Sequence, residues 1–398
     1  MTTTELEPAD TVPPDTTDEP ALLAWLAGMR TAHPVWRDRY GMYHVFRQAD
    51  VLGVLRDPAR FSSETSRLAP SAKQVSRGML TQIDPPEHRR LRSVVSTAFT
   101  PKRVADLEPR IREITRRLLD AVPDAGSFDL VDSLAFPLPV TVIAEMLGLP
   151  DDDHPLFRTW ADRLFSMQVD DPSDPSLGER VAEAMADIRT YLTARVQERR
   201  AAPTDDLISA LVEAGLDDEE GANFSLLLLL AGHITTTVLL GNAVRTFAEH
   251  PGVWEGLRAD PSTIPAAIEE VLRLRSPFVM AGRVTTEPVE IAGVTIPADR
   301  FVVTWMLSAN RDERAFAEPE AFVLDRGIGG GAQTAFGHGV HFCLGAPLAR
   351  LEGRVALEEL TARYSALSPT EVSMGALEPY PRGVLGVRRL PVKGVRSY

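Results

Sequence analysis

The stretch Phe336-Gly337-His338-Gly339-Val340-His341-Phe342-Cys343-Leu344-Gly345 constrains this chain more than any other. It holds the only cysteine among 398 residues, which excludes an intramolecular disulfide and any need for an oxidising compartment. A lone thiol is either a small core hydrophobe or a reactive centre. The surroundings favour the second reading. Cys343 closes a tight glycine loop and directly precedes a helical pattern over Leu344–Leu367. The free N–H groups and partial positive charge of a helix start favour thiolate. The glycines let the backbone approach a bulky group closely. A soft, anionic sulfur in such a nest suits iron.

The rest of the chain reads as mostly α with a minor β part. Helical patterns cover 21–30, 49–55, 86–99, 101–121, 136–147, 154–167, 178–200, 205–214, 223–250 and 262–274. Short strands are expected at 35–37, 42–47 and within 282–297, and a strand running into a helix at 301–309. A final hairpin is expected at 384–392, and 61–80 reads as a long polar loop. The first twenty residues, rich in Thr, Pro and acid, are expected to form a disordered tail before one continuous domain over 21–398.

The net charge of −14 argues against a nucleic-acid partner, which needs a basic surface, and against an anionic membrane surface. No apolar run reaches the ~18 residues of a membrane span, and no secretory leader pattern is visible. A cytoplasmic location is expected.

The ten-residue loop fits the pattern Phe-x-x-Gly-x-His/Arg-x-Cys-x-Gly and resembles that of the cytochrome P450 family, the haem-thiolate monooxygenases. The resemblance implies the α+β fold of that family, a triangular helix-rich prism around haem b. It implies Cys343 as axial iron ligand, Phe336 against its sulfur, Gly345 at the loop's end and His341 on a haem propionate. Asp84–Arg92 resembles the family segment leading into the helix beside the haem. His88 and Arg92, four apart and so on one helix face, would bind propionate, as would Arg283. Glu270 and Arg273 resemble the family's buried structural pair. Its usual third member, a basic residue, is replaced by Ala321, with Arg326 as a candidate substitute.

The run Leu229-Leu230-Ala231-Gly232-His233-Ile234-Thr235-Thr236-Thr237 resembles the family's distal helix. Thr235 falls on the oxygen-pocket threonine. Ala231 and Gly232 would lie against the haem, with Gly232 thinning the helix for dioxygen. Thr236 and Thr237 serve either a wet notch or a helix interface. Ile234 stands where the family has an acid that relays protons. Three explanations stay open: a substrate hydroxyl with ordered water, proton supply from His233, or chemistry that tolerates poor proton delivery.

The resemblance further implies a bulky natural-product substrate of the macrolide, polyketide or peptide class. Phe165, Leu227, Phe278, Val279 and Met280 would line its site. Arg67, Lys73 and Arg77 are either substrate contacts or solvated charges. The expected reaction is insertion of one oxygen atom from O2 by hydroxylation or epoxidation. Oxidative ring closure or aryl coupling without oxygen insertion is the alternative, and a non-catalytic haem-binding recruitment protein a more distant one. Electrons are expected from NAD(P)H through a ferredoxin reductase and ferredoxin, docked near Arg103, Arg350 and Arg354. A monomer is expected.

Overall fold

The computed structural model describes residues 12–68, 77–123, 126–165, 176–326, 333–371, 377–380 and 383–397. Helices and strands follow the chain in this order. The first part carries α1 (Glu19–Ala32), β1 (Val35–Arg37), β2 (Tyr43–Val45), α2 (Gln48–Arg56) and β3 (Phe61–Ser62). Next come α3 (Glu87–Ser96), α4 (Pro101–Asp106), α5 (Glu108–Asp120) and β4 (Ser127–Asp129). The middle is helical: α6 (Pro137–Leu147), α7 (His154–Phe165), α8 (Leu177–Ala184), α9 (Ala186–Ala201), α10 (Leu207–Glu213), α11 (Asp218–Glu249), α12 (Val253–Ala259) and α13 (Ile264–Leu274). Four strands follow, β5 (Ala281–Thr285), β6 (Val289–Ile291), β7 (Val294–Ile296) and β8 (Phe301–Thr304), then α14 (Met306–Ala309). The chain closes with α15 (Ala346–Arg363), β9 (Tyr364–Pro369) and β10 (Pro391–Arg396).

The long helix α11 organises the molecule. Asp217 caps its first turn and Glu220 returns the bond, a capping box that fixes the start. It ends at Glu249, two residues before Pro251, a residue that cannot continue a helix. At 32 residues it spans about 48 Å. It is apolar on nearly every face and is therefore buried on nearly every face, against α6, α9, α13 and α15. By length and composition α11 passes for a membrane span, contrary to the reading of the bare sequence. In the fold, 72% of that apolar window is buried inside the protein, as for a core helix.

The β part sits to one side. Strands β1-β2-β8-β5-β3 form a sheet in which β2 and β8 run parallel and the other pairs antiparallel. A second sheet is ordered β4-β10-β9, and β6-β7 is a separate hairpin.

Several expectations are corrected. Tyr364–Leu367 is strand rather than the end of the last helix, because it pairs with β10 from Tyr364 to Pro369. The final hairpin over 384–392 is replaced by isolated bridges Phe278–Val384 and Pro379–Val387, with β10 beginning only at Pro391. The helix expected over 101–121 breaks at Leu107, where Pro109 begins a new first turn. Helix α12 lay unread between Pro251 and Pro261. The expected disordered tail over 1–20 does not hold for its last residues, 16–20. Residues 1–11 lie outside the described residues, but Thr16 is buried against the Tyr380 carbonyl. Asp18 caps α1, and Glu19 forms buried ion pairs with Arg245 and Arg275.

Candidate active site

The cysteine loop is built by two left-handed glycines and one close approach. Gly337 (φ 69°) and Gly339 (φ 72°) both occupy conformations that side chains disfavour. A Cβ on Gly339 would lie 2.6 Å from the Leu55 carbonyl oxygen, so α2 can press against the loop only at a glycine. The Cys343 N–H donates to the Phe336 carbonyl (2.9 Å), which closes the turn. Gly345 caps α15. The Arg350 guanidinium lies 4.4 Å from the centre of the Phe336 ring. The expected thiolate is not achieved by the protein alone. Burial pushes the Cys343 thiol up, and the Gly345 and Ala346 N–H groups, Arg92 and Arg350 do not reverse it. A coordinated cation is what would deprotonate this sulfur.

Beside the loop lies a cluster of basic groups short of acids. The rings of His88 and His341 meet edge to face at 4.3 Å. His88 is 1% exposed, and neither ring nitrogen has a hydrogen-bond partner among the described residues. Burial, with His341 and Arg92 adding to it, pushes His88 down to about 4, so it is neutral. His341 Nε2 bonds Ser63 Oγ (2.9 Å) and lies 3.8 Å from Asp84. Arg92 donates to the carbonyls of Val340 (3.0 Å) and Phe342 (2.8 Å) and thereby braces the cysteine loop from α3. Arg283 is buried, and the one hydrogen bond of its guanidinium among the described residues goes to the Gly282 carbonyl (2.7 Å). An orphaned buried histidine and a near-orphaned buried arginine are expensive unless an anion joins them. The two carboxylates of haem would supply that anion. Ser63 and Asp84 belong to this cluster as second partners. Neither was singled out from the sequence, because a serine in a polar loop has no distinguishing neighbour.

Helix α11, which packs on α15, has one open face. Between Gly221 and Phe247 the accessible residues are Leu227, Leu230, Ala231, Gly232 and Thr235, and a spacing of four places Leu227, Ala231 and Thr235 in one row. Thr235 Oγ1 donates to the Ala231 carbonyl (2.9 Å), which turns its lone pairs to the cavity. A Cβ on Gly232 would meet Ile143 of α6 at 2.9 Å, so the glycine lets α11 and α6 pack closely. Ile234 is buried among Ala161, Val238, Tyr380 and Val384. His233 points into the core, with Phe136 edge-on at 5.5 Å. Its Nδ1 donates to the Leu229 carbonyl, and burial pushes it down to about 4. It therefore cannot supply protons to the cavity.

The structural pair is a network. Glu270 accepts twice from Arg273 (2.8 Å each), from the Val323 N–H (2.9 Å) and from Arg326 Nε (2.7 Å). Arg326 stands where Ala321 leaves the third position vacant.

The expected substrate contacts divide. Phe278 and Met280 are accessible, whereas Val279 between them is fully buried with Leu307 and Leu385. Alternation along an extended segment accounts for this, and it removes Val279 from the lining. Phe165 ends α7, and its side chain lies outside what is described, as does Lys73. Arg67 lies 3.8 Å from Asp299, and Arg77 pairs with Asp217, Glu219 and Glu220. Of the expected docking arginines, Arg350 is bidentate to Glu269 and Arg354 pairs with Glu108 and Glu358. Arg103 is exposed.

Comparison with known proteins agrees with this geometry. The family model "Cytochrome P450" matches residues 35–385. The chain is 58% identical over 385 residues to erythromycin C-12 hydroxylase of Saccharopolyspora erythraea, covering 95% of this chain and 96% of that one. It is 42% identical over 381 residues to cyclomarin C epoxidase of Salinispora arenicola, covering 94% and 95%. A solved structure of a P450 EryK mutant with erythromycin B superposes with a TM-score of 0.92 at 57% identity, covering 96% and 98%. The cysteine loop, the anion-deficient basic cluster and the open threonine face belong to a monooxygenase, and the chain is a member of the cytochrome P450 family.

Proposed function

We propose that this enzyme hydroxylates a macrolide, using dioxygen and electrons delivered by a ferredoxin. The observation that carries the reading is 58% identity, over nearly the whole of both chains, to a macrolide hydroxylase. The accessible side chains about the open face of α11 support it. Leu227, Leu230, Phe278 and Met280 are apolar, and a large apolar ring would desolvate them.

When bound, haem supplies the activation of dioxygen and the oxidation of the substrate C–H bond. The chain supplies the rest. Cys343 would hold the iron. His88, Arg92, Arg283 and His341 would hold the propionates. Thr235 Oγ1 holds a hydrogen-bonded proton carrier at the cavity wall. Ile234 keeps water away from the helix face beside it. A substrate hydroxyl with ordered water fits the proton route better than His233 does.

Electron transfer needs a basic surface near the cysteine to meet an acidic ferredoxin. Arg350 and Arg354 are neutralised by their own acids. Arg56, Arg89 and Arg103 are exposed, and no ion pair joins them among the described residues. Arg56 lies where α2 touches Gly339, and Arg89 is three residues before Arg92. These three are the docking set, the protein is monomeric, and it works in the cytoplasm.

Absorbance titration of the ferric holoenzyme tests the substrate class. Macrolides of the erythromycin type should shift the haem band to the blue with saturation. A panel in which only peptides shift the band would replace the macrolide reading with a peptide one.

A further inference from the structure

The isoleucine that stands in place of an acid has packing partners of its own. Two neighbouring rows run along α11. Leu227, Ala231 and Thr235 form the open one, whereas Leu230, Ile234, Val238 and Asn242, again four apart, face the chain that returns after β9. Ile234 is 2% exposed and packs in one apolar cluster with Ala161 of α7, Val238, Tyr380 and Val384. Leu230 is accessible and packs on the same cluster. Farther along the row, a Cβ on Gly386 would lie 2.7 Å from Val238, and the Asn242 side-chain amide donates to the Leu385 carbonyl (2.8 Å).

That returning chain carries a second wall of the cavity. Val384 bridges Phe278, the Val279 N–H donates to the Gly383 carbonyl (3.0 Å) and the Leu385 N–H to the Pro277 carbonyl (2.9 Å). Phe278 and Met280, which are accessible, are therefore placed by the chain at 383–385. The main chain of Tyr380 is held from other sides, its N–H by the Gly386 carbonyl (3.0 Å) and its carbonyl by the Thr16 hydroxyl (3.3 Å). Toward α11 the contact of Tyr380 and Val384 is apolar. A carboxylate at position 234 would be taken out of water among these side chains, with His233 turned into the core and neutral. Position 234 thus supplies shape rather than charge.

We propose that Ile234 is a positioning residue that sets the width of the substrate cavity. Its side chain seats Tyr380 and Val384 against α11. The Val384–Phe278 bridge carries that spacing to Phe278 and Met280, and the gap between them and the open row of α11 follows. Ala161 brings α7 into the same cluster, so one apolar knot joins three elements around the cavity. Isoleucine suits the place because it is bulky, branched beside the main chain and free of polar atoms that need solvation. No bond is made or broken at this residue, which acts through the wall it holds. The proposal rests on the open face of α11 being the substrate cavity, and not on which compound fills it.

The test uses the holoenzyme and its variants I234V, I234A, I234D, V384A and I234A/V384A. The first readout is hydrogen exchange of the Val279 and Leu385 amides, which needs no substrate. Both should exchange about tenfold faster or more in I234A and I234D, because a contact that opposes local opening is lost. I234V, one methylene shorter, should stay near the wild type. The two side chains act in one cluster, so I234A/V384A should gain less than the product of the single gains. The second readout is the blue shift of the haem band with an erythromycin-type macrolide. Its dissociation constant should rise about tenfold in I234D, with KM rising alike, kcat little changed and more than one oxygenated product. I234V should restore a single product. Wild-type exchange in I234A and I234D overturns the proposal. So does an I234D enzyme with wild-type KM that loses fewer electrons to hydrogen peroxide, which would make 234 a vacant acid position. If I234D fails to fold, I234A and V384A decide. If no macrolide shifts the band in the wild type, the macrolide reading fails alone, and the exchange rates still decide the role of Ile234.

Discussion

Glu270 and Glu352 are both buried helical glutamates, 4% and 1% exposed, and they are in opposite electrostatic states. Burial raises the pKa of each. At Glu270 two guanidinium groups and a backbone N–H reverse that effect and hold the carboxyl below its ordinary range. At Glu352 nothing but a threonine hydroxyl opposes it. The comparison teaches that burial does not by itself decide charge. The donors within reach decide it. One region uses a carboxylate to lock the segment 310–326 to α13 below the cysteine loop. The other keeps a neutral acid where two helices meet behind the distal threonines.

The largest expected effect breaks the first region. Glu270→Ala leaves Arg273 buried and unpaired, and should cost about 3–5 kcal/mol in denaturant unfolding, with poor haem retention. A loss below 1 kcal/mol would mean that Arg273 is held by the carbonyls of Asn310, Pro319 and Ala321 alone.

The second effect is a pH dependence of opposite sign in the two regions. Glu352 is shifted up from 4.5 to about 8. Within that window the native state holds a proton that the unfolded chain has lost. Stability therefore falls as pH rises, by at most about 1.4 kcal/mol per pH unit from this group. Glu270 is shifted down, so its contribution is present above 4.5 and is lost as pH falls. Glu352→Leu should stabilise the protein and flatten the decline in stability between pH 4.5 and about 8, while leaving the loss below 4.5 unchanged. An unchanged slope between pH 4.5 and about 8 would place the titration elsewhere.

The smallest effect concerns the helix that separates the regions. Gly232→Ala drives a Cβ into Ile143 and should cost about 1–3 kcal/mol. A stable G232A that loses only activity would favour space for dioxygen over helix packing as the role of Gly232.

How much of this was legible in the sequence depended on how local each feature is. The cysteine loop, the His88–Arg92 pair and the Glu270–Arg273 pair rest on short spacings, and the fold brings each together. Glu352 was unreadable, since a glutamate between Leu351 and Gly353 looks like the wet side of a helix until α11 covers it. The same holds for Gly232, whose neighbour Ile143 is 89 residues away in the chain. Val279 was misassigned because a run of three apolar residues does not reveal which face is the core. Tyr364–Leu367 was taken for helix because its strand partner lies beyond a further twenty residues.

The central claim is that the open face of α11 holds a macrolide for oxygen insertion. The most direct measurement is turnover of an erythromycin-type macrolide by the holoenzyme under isotopically labelled dioxygen, with ferredoxin and its reductase, read by mass spectrometry. The account predicts a product heavier by one labelled oxygen atom. A product that has lost two hydrogens without gaining label, or a macrolide recovered intact while electrons are consumed, would contradict it.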